Sequence, residues 1–159
     1  MAPSAGWGAK QWPPERFGAV AAGLALHGYV SLVNASSDED ATAAKVAATS
    51  GGAAQVVACN IPQLIALLRR AALLIGGDSG PLHLAAALGR PVVGLYGPTD
   101  PARNGPYATA SRVLRHASST RDHHRREQVE AGLLQIFPEE VVRAALDLLQ
   151  PAGSTLETA

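Results

Sequence analysis

Three features of the sequence point to an α/β fold, a parallel sheet with helices on both faces. Short β-rich runs alternate along the chain with longer stretches of helical periodicity. Ala72 to Ile75 is a continuous apolar run, the mark of a strand buried on both sides. That run feeds a glycine turn, Gly76-Gly77-Asp78-Ser79-Gly80, which opens directly into a helix.

Residues 14–27 place Phe17, Val20, Ala21, Leu24 and Ala25 on one helical face. Pro13 and Pro14 suit the first turn and Gly28 the C-terminal cap. Tyr29 to Val33 reads as a strand. Asp38, Glu39 and Asp40 open a helix to about Thr49, because acids suit its positive end, and Gly51-Gly52 stops it. Gln55 to Cys59 is the next strand. Asn60 caps a helix over Ile61 to Ala71, with Pro62 tolerated in its first turn. Beyond the central turn, residues 81–88 form a helix ending at Gly89, Pro91 to Tyr96 a strand, and Gly97 to Pro101 a turn-rich loop. Arg112 to Leu114 is the last strand and 117–130 a polar loop. Pro138 to Leu149 is an amphipathic terminal helix. Residues 1–150 thus make one domain, and 151–159 are a frayed tail.

The beginning is unusual. A glycine turn at Gly6 and Gly8 comes almost at once, and Met1 to Ala5 is too short and proline-broken to be the strand that should feed it. In the commonest doubly wound order that strand is central. The domain is therefore expected to lack its first strand, and apolar surface left in its place is expected to favour self-association.

Composition excludes several classes. Thirteen basic residues balance thirteen acidic ones, so a nucleic-acid-tracking surface is not expected. A single cysteine excludes a disulfide scaffold and a cysteine-based zinc site. No apolar run approaches the ~20 residues that span a bilayer, and the first ten residues lack the apolar core of a secretory signal. The expectation is a cytoplasmic protein with an alanine-rich aliphatic core.

Ligands of open parallel sheets bind beyond the carboxyl ends of strands, which singles out Gly76 to His83. Gly77 and Gly80 let backbone approach a ligand. The helix that follows aims unpaired N–H groups and its positive end at the same spot, which favours phosphate. Ser79 can donate to a phosphate oxygen, and His83 sits one turn in. The competing reading is that Asp78 or Ser79 only caps the helix and His83 packs. Lys10 lies in a second glycine turn, G-W-G-A-K-Q-W-P-P, which its two tryptophans should anchor. Its ammonium either reaches an anion held by the first loop or is simply solvated.

Cys59 reads as a small buried hydrophobe or pocket wall, and His27 and His116 as structural. His123-His124-Arg125-Arg126 is a basic patch, either solvated or turned to an anionic acceptor or lipid headgroup. Asp38-Glu39-Asp40 formally matches a metal-binding Asp-x-Asp, but a helix-start acid cluster is the stronger reading, and no metal site is expected. Gly77-Asp78-Ser79-Gly80-Pro81 ends in proline where a nucleophile elbow needs glycine. Asp122-His123-His124 lacks the Asp-x-x-His spacing of hydrolases that carry a G-D-S motif. A hydrolase using Ser79 is therefore a distant alternative.

The run G-G-D-S-G-P-L-H-L-A-A-A-L-G-R-P-V-V-G-L-Y-G-P-T-D-P-A-R-N-G-P-Y, Gly76 to Tyr107, closely resembles the heptosyltransferases, glycosyltransferase family 9. The opening G-A-K-Q-W-P-P-E-R-F, Gly8 to Phe17, is similar to the same family's turn at the start of its C-terminal domain. Both motifs stand in the family's order and spacing. The resemblance runs from about Gly6 to Leu149 and covers the C-terminal half of such an enzyme.

It implies a Rossmann-like domain, one half of a GT-B glycosyltransferase, binding the nucleotide-sugar donor, typically ADP-heptose. The absent N-terminal half would bind the lipopolysaccharide-core acceptor. The implied reaction is an inverting, metal-independent transfer with no cofactor, at or near the inner face of the inner membrane. By resemblance Lys10 contacts phosphate, and Asp78, Ser79, Gly80, Pro81 and His83 form the donor loop. Cys59 falls where the family often sets a residue against the nucleotide, and Thr99 and Asp100 lie near the donor sugar. The family's catalytic base belongs to the absent half, so no residue here takes that role. Asn34 to Asp38 departs from the family's usual Gly-rich loop, and residues 117–130 lack its Cys-containing stretch. A separate polypeptide could supply the acceptor domain. A vestigial, nonenzymatic nucleotide-binding module is the alternative.

Overall fold

The computed structural model describes residues 1–150 apart from Asp38 and His123. The tail expected from Pro151, Asp38 of the acid cluster and His123 of the basic patch lie outside the described residues.

Five parallel strands alternate with helices, and local chemistry sets most boundaries. Helix α1, Pro14–Ala25, starts on a proline whose missing N–H costs nothing at that position. Gly28 follows it at φ 81°, in the left-handed region that favours glycine. Strand β1 is Ser31–Ala35 and helix α2 is Ala41–Thr49. Asp40 caps α2 by accepting from the Thr42 and Ala43 amides, so the acids precede this helix rather than forming its first turn. Strand β2, Ala54–Ala58, leads to α3, Ile61–Arg70, whose start is a reciprocal Asn60–Gln63 capping box. Strand β3 is Leu74–Gly77, α4 Gly80–Ala87 and β4 Val92–Leu95. A short helix α5, Pro101–Asn104, stands in the loop after β4. Strand β5, Ser111–Leu114, and helix α6, Pro138–Leu149, complete the fold.

The helices cover both faces as expected. One core joins α1, α2 and α6 to the sheet through Val20, Leu24, Val46, Val93 and Val141. The other packs α3 and α4 on the opposite face through Leu64, Leu68, Leu82 and Ala85.

Two corrections concern the sheet. The glycine pair Gly76-Gly77 belongs to β3 instead of the turn after it. A Cβ on Gly76 would stand 3.0 Å from the Ala2 carbonyl oxygen, and one on Gly77 would stand 3.2 Å from that of Lys10. The glycines therefore admit neighbouring backbone, which apolar periodicity could not reveal.

The second correction concerns the first strand. Strands β1 and β2 pair with each other, and β3, β4 and β5 form a second ladder. Met1 and Ala2 lie between the two ladders. The Met1 amine donates to the Leu32 carbonyl, and the Met1 carbonyl accepts from the Asn34 amide at 2.9 Å. On the other side the Ala2 amide donates to the Ile75 carbonyl at 2.9 Å, in a parallel bridge with Gly76. Met1-Ala2 is thus the carboxyl end of the central strand, and the spatial order is β2-β1-stub-β3-β4-β5.

Candidate functional site

The carboxyl end of β3 delivers Asp78 to the rim of the sheet, where three side chains from distant parts of the chain meet it. Lys10 Nζ donates to Asp78 Oδ2 at 3.0 Å across 68 residues of sequence. His83 Nε2 lies 2.8 Å from Oδ1. An ionised carboxylate only accepts, so this ring nitrogen carries the proton. Asn104 Nδ2 donates to Oδ2 at 3.4 Å. The Asp78 and Lys10 side chains are 7% and 14% exposed, whereas that of His83 is 43% exposed and faces solvent.

Each partner is held in place. Lys10 ends a 3-10 turn, Gly8–Lys10, pinned by the far segment of the chain. The Ala9 amide donates to the Arg126 carbonyl at 2.9 Å, and the Glu130 amide donates to the Ala9 carbonyl at 3.2 Å. A Cβ on Gly8 would lie inside the Glu127 carbonyl, so only glycine fits beneath this strap. The Trp7 ring centroid stands 5.4 Å from the ammonium, close enough for a cation–π contact. Asn104 ends α5, whose start is capped by Asp100 through the Ala102 amide. The fully buried Tyr96 hydroxyl donates to the Asn104 carbonyl at 3.0 Å.

Two buried hydroxyls flank the carboxylate without a hydrogen-bond partner, Ser79 Oγ and Thr99 Oγ1. Ser79 is the N-cap residue of α4, yet its side chain makes no capping bond. A serine in that position ordinarily caps its own helix. Here the hydroxyl is left free beside the positive end of α4, with Gly80 at its first position and Pro81 in its first turn. A Cβ on Gly80 would meet nothing within 4 Å, so this backbone faces open space.

Opposed influences act on Asp78. Burial pushes its carboxyl up, but hydrogen bonds from His83, Lys10 and Thr99 and the Lys10 charge outweigh it and hold the group below 3.8. A carboxyl lowered in the native state adds stability that is fully present above its unfolded value. That stability is lost as pH falls through the native value. Asp78→Asn is therefore expected to be less stable than the parent above about pH 4, with the gap closing below it. Urea unfolding at pH 6 and at pH 3 measures this, and a gap equal at both would contradict it.

The structure thus brings together Lys10, Asp78, Ser79, Gly80, Pro81, His83 and Thr99. Cys59 stands at the same edge, just after β2, half-buried and packed on the α3–α4 core, with no hydrogen bond to the network among the described residues. Asp100 caps α5 and pairs with Arg121 at 2.9 Å, a positioning role. Asn104 and Tyr96 went unnoticed in the sequence, although both lie inside the run that carries the resemblance. The basic patch is partly neutralised from within, since Asp122 takes His124 at 2.6 Å and Arg126 at 2.9 Å. Ser79 has no contact with His83, whose Nε2 is committed to Asp78, so the serine–base pair of a hydrolase is not formed. Among the described residues, no group of three or more His, Cys, Asp or Glu could hold a metal ion, and no helix is long and apolar enough to cross a membrane.

A family model described as glycosyltransferase family 9 (heptosyltransferase) matches residues 1–133. Lipopolysaccharide heptosyltransferase 3 of Escherichia coli is 31% identical over 92% of this chain and 45% of its own length. Lipopolysaccharide heptosyltransferase 2 of Salmonella typhimurium is 27% identical, over 91% of this chain and 44% of its own. The solved ADP-heptose lps heptosyltransferase II of E. coli superposes with a TM-score of 0.82 at 27% identity, covering 93% of this chain and 45% of that one. An E. coli heptosyltransferase solved with ADP has the same fold, with a TM-score of 0.77 at 23% identity. The chain spans about half the length of the relatives it matches.

Proposed function

Because the chain belongs to glycosyltransferase family 9, we propose that the Asp78 cluster binds the diphosphate of an ADP-sugar donor, ADP-heptose in the first instance. The observation that carries this reading is the convergence of the Lys10 ammonium, the free Ser79 hydroxyl and the α4 N-terminus at one rim. The similar E. coli enzyme is named for ADP-heptose, which supports the choice of nucleotide.

Asp78 fixes rather than binds. It would repel a diphosphate on its own, but it holds Lys10 and His83 in defined positions, and the ammonium keeps two further N–H donors. In an inverting transfer the acceptor hydroxyl attacks the anomeric carbon as its bond to the diphosphate breaks. Negative charge then grows on the departing phosphate. Lys10, Ser79 and the first amides of α4 would stabilise that charge with preset donors, with no cofactor and no metal ion. The base that takes the acceptor's proton, and the surface that presents a lipopolysaccharide-core acceptor, belong to the other half of a two-domain enzyme. Residues 1–150 would therefore bind donor without transferring sugar efficiently, since both substrates must share one cleft. A lipid-bearing acceptor would bring the complete enzyme to the inner face of the inner membrane.

Titration with ADP by calorimetry tests the reading. Because the Ser79 hydroxyl caps nothing, Ser79→Ala is expected to leave the thermal midpoint unchanged. It is expected to weaken ADP binding about tenfold, the cost of one hydrogen bond to a charged group. A folded chain with no measurable affinity for ADP would remove the proposal.

A further inference from the structure

The largest cleft among the described residues lies away from the Asp78 cluster. It continues the line of the Met1-Ala2 stub between β1 and β3, with a volume of about 410 Å³. Its two walls are strand backbone. Leu32 and Ile75 already accept from Met1 and Ala2. The N–H and C=O of one strand residue point to the same side, so the Leu32 and Ile75 amides also face the cleft. By alternation the Val30 and Leu73 carbonyls do likewise. Floor and roof are apolar, formed by Leu24 and Leu149 on one side and by Leu64, Leu67 and Leu68 on the other. Val30, at the mouth, is 75% exposed.

These features specify an occupant. The ladder bonds of the stub fix a parallel direction and an extended conformation, and two greasy faces demand apolar side chains of both parities. The slot starts at the Met1 nitrogen, so the stub's own line leads into it. We infer that the slot receives an apolar β-strand of about four residues, parallel to β1 and β3 and joined directly to the Met1 nitrogen. That strand closes the two ladders into one continuous sheet. A second observation agrees: burial lowers the Met1 amine from 8.0 to about 5, so the site favours an uncharged amide N–H over an ammonium. The inference is independent of what the Asp78 cluster binds.

The test compares the 159-residue chain with versions carrying Val-Ile-Val-Leu or a Gly-Ser tetrapeptide ahead of Met1. The apolar extension is expected to slow hydrogen exchange at the Leu32 and Ile75 amides at least ~10-fold relative to both other chains, and to raise the thermal midpoint by several degrees. A further apolar extension with proline next to Met1 lacks the N–H that the Leu73 carbonyl would accept, and is expected to lose much of that gain. Equal exchange in the apolar and Gly-Ser chains would overturn the inference. So would protection that appears in the unextended chain as its concentration rises, which would make a second copy the occupant.

Discussion

Replacing Trp12 with alanine is expected to lower the unfolding free energy by about 3–5 kcal/mol, a large part of the roughly 5–15 kcal/mol that holds a domain together. The indole is 1% exposed and meets the Phe17 ring edge-on, with centroids 5.0 Å apart. Its N–H donates to the Ile136 carbonyl at 3.2 Å. Arg16 lies over the same ring and donates to the Leu134 and Ile136 carbonyls at 2.7 and 2.6 Å. One side chain therefore joins the Lys10 turn, α1 and the approach to α6. Truncation leaves a cavity and an unpaired carbonyl together. Trp12→Phe keeps most of the volume and loses the hydrogen bond, so a smaller loss of about 1–2 kcal/mol is expected. Urea unfolding of the three proteins measures both, and an alanine variant within about 1 kcal/mol of the parent would contradict the assignment.

Lys10→Met should weaken ADP binding by about 30-fold or more, because it removes a charge-assisted donor from the proposed diphosphate site. It should also destabilise the fold, since Asp78 would keep its burial and lose its main counter-charge. The two effects separate in the double variant Lys10→Met with Asp78→Asn. Stability is expected to return towards the parent value, while ADP affinity stays low. If the double variant recovered both, Lys10 would only neutralise Asp78 and would not touch the ligand. Calorimetry paired with thermal melts gives both readings on each protein.

Much of this architecture was legible in the sequence. The alternation of apolar runs with amphipathic stretches gave parallel strands and two helical layers, and Asn60 and Pro14 marked helix starts by chemistry local to each. Strand limits were less legible, because a strand ends where its neighbour stops pairing. β1 runs later than Tyr29 to Val33, and β3 takes in Gly76 and Gly77, whose need for glycine comes from the Ala2 and Lys10 backbones. The donor loop showed itself as a strand–glycine–helix junction. Its link to Lys10 came only through family resemblance, since no periodicity connects residues 68 apart. Asn104 escaped notice because its role depends on α5, a four-residue helix hidden among turn formers. The strap at 126–130 looked like solvated loop because it grips the Lys10 turn with backbone groups, which side-chain chemistry does not advertise.

The bond from Trp12 to Ile136 joins positions 124 residues apart, and this bears on how the chain is made. During synthesis the indole emerges early, while the carbonyl that satisfies it leaves the ribosome close to the end. For most of translation the nascent domain carries a large bare ring and an unclamped lysine turn. Closing so long a loop defers its reward, which slows folding and leaves time for chaperone capture. The donor-binding corner should therefore be among the last parts of the domain to set.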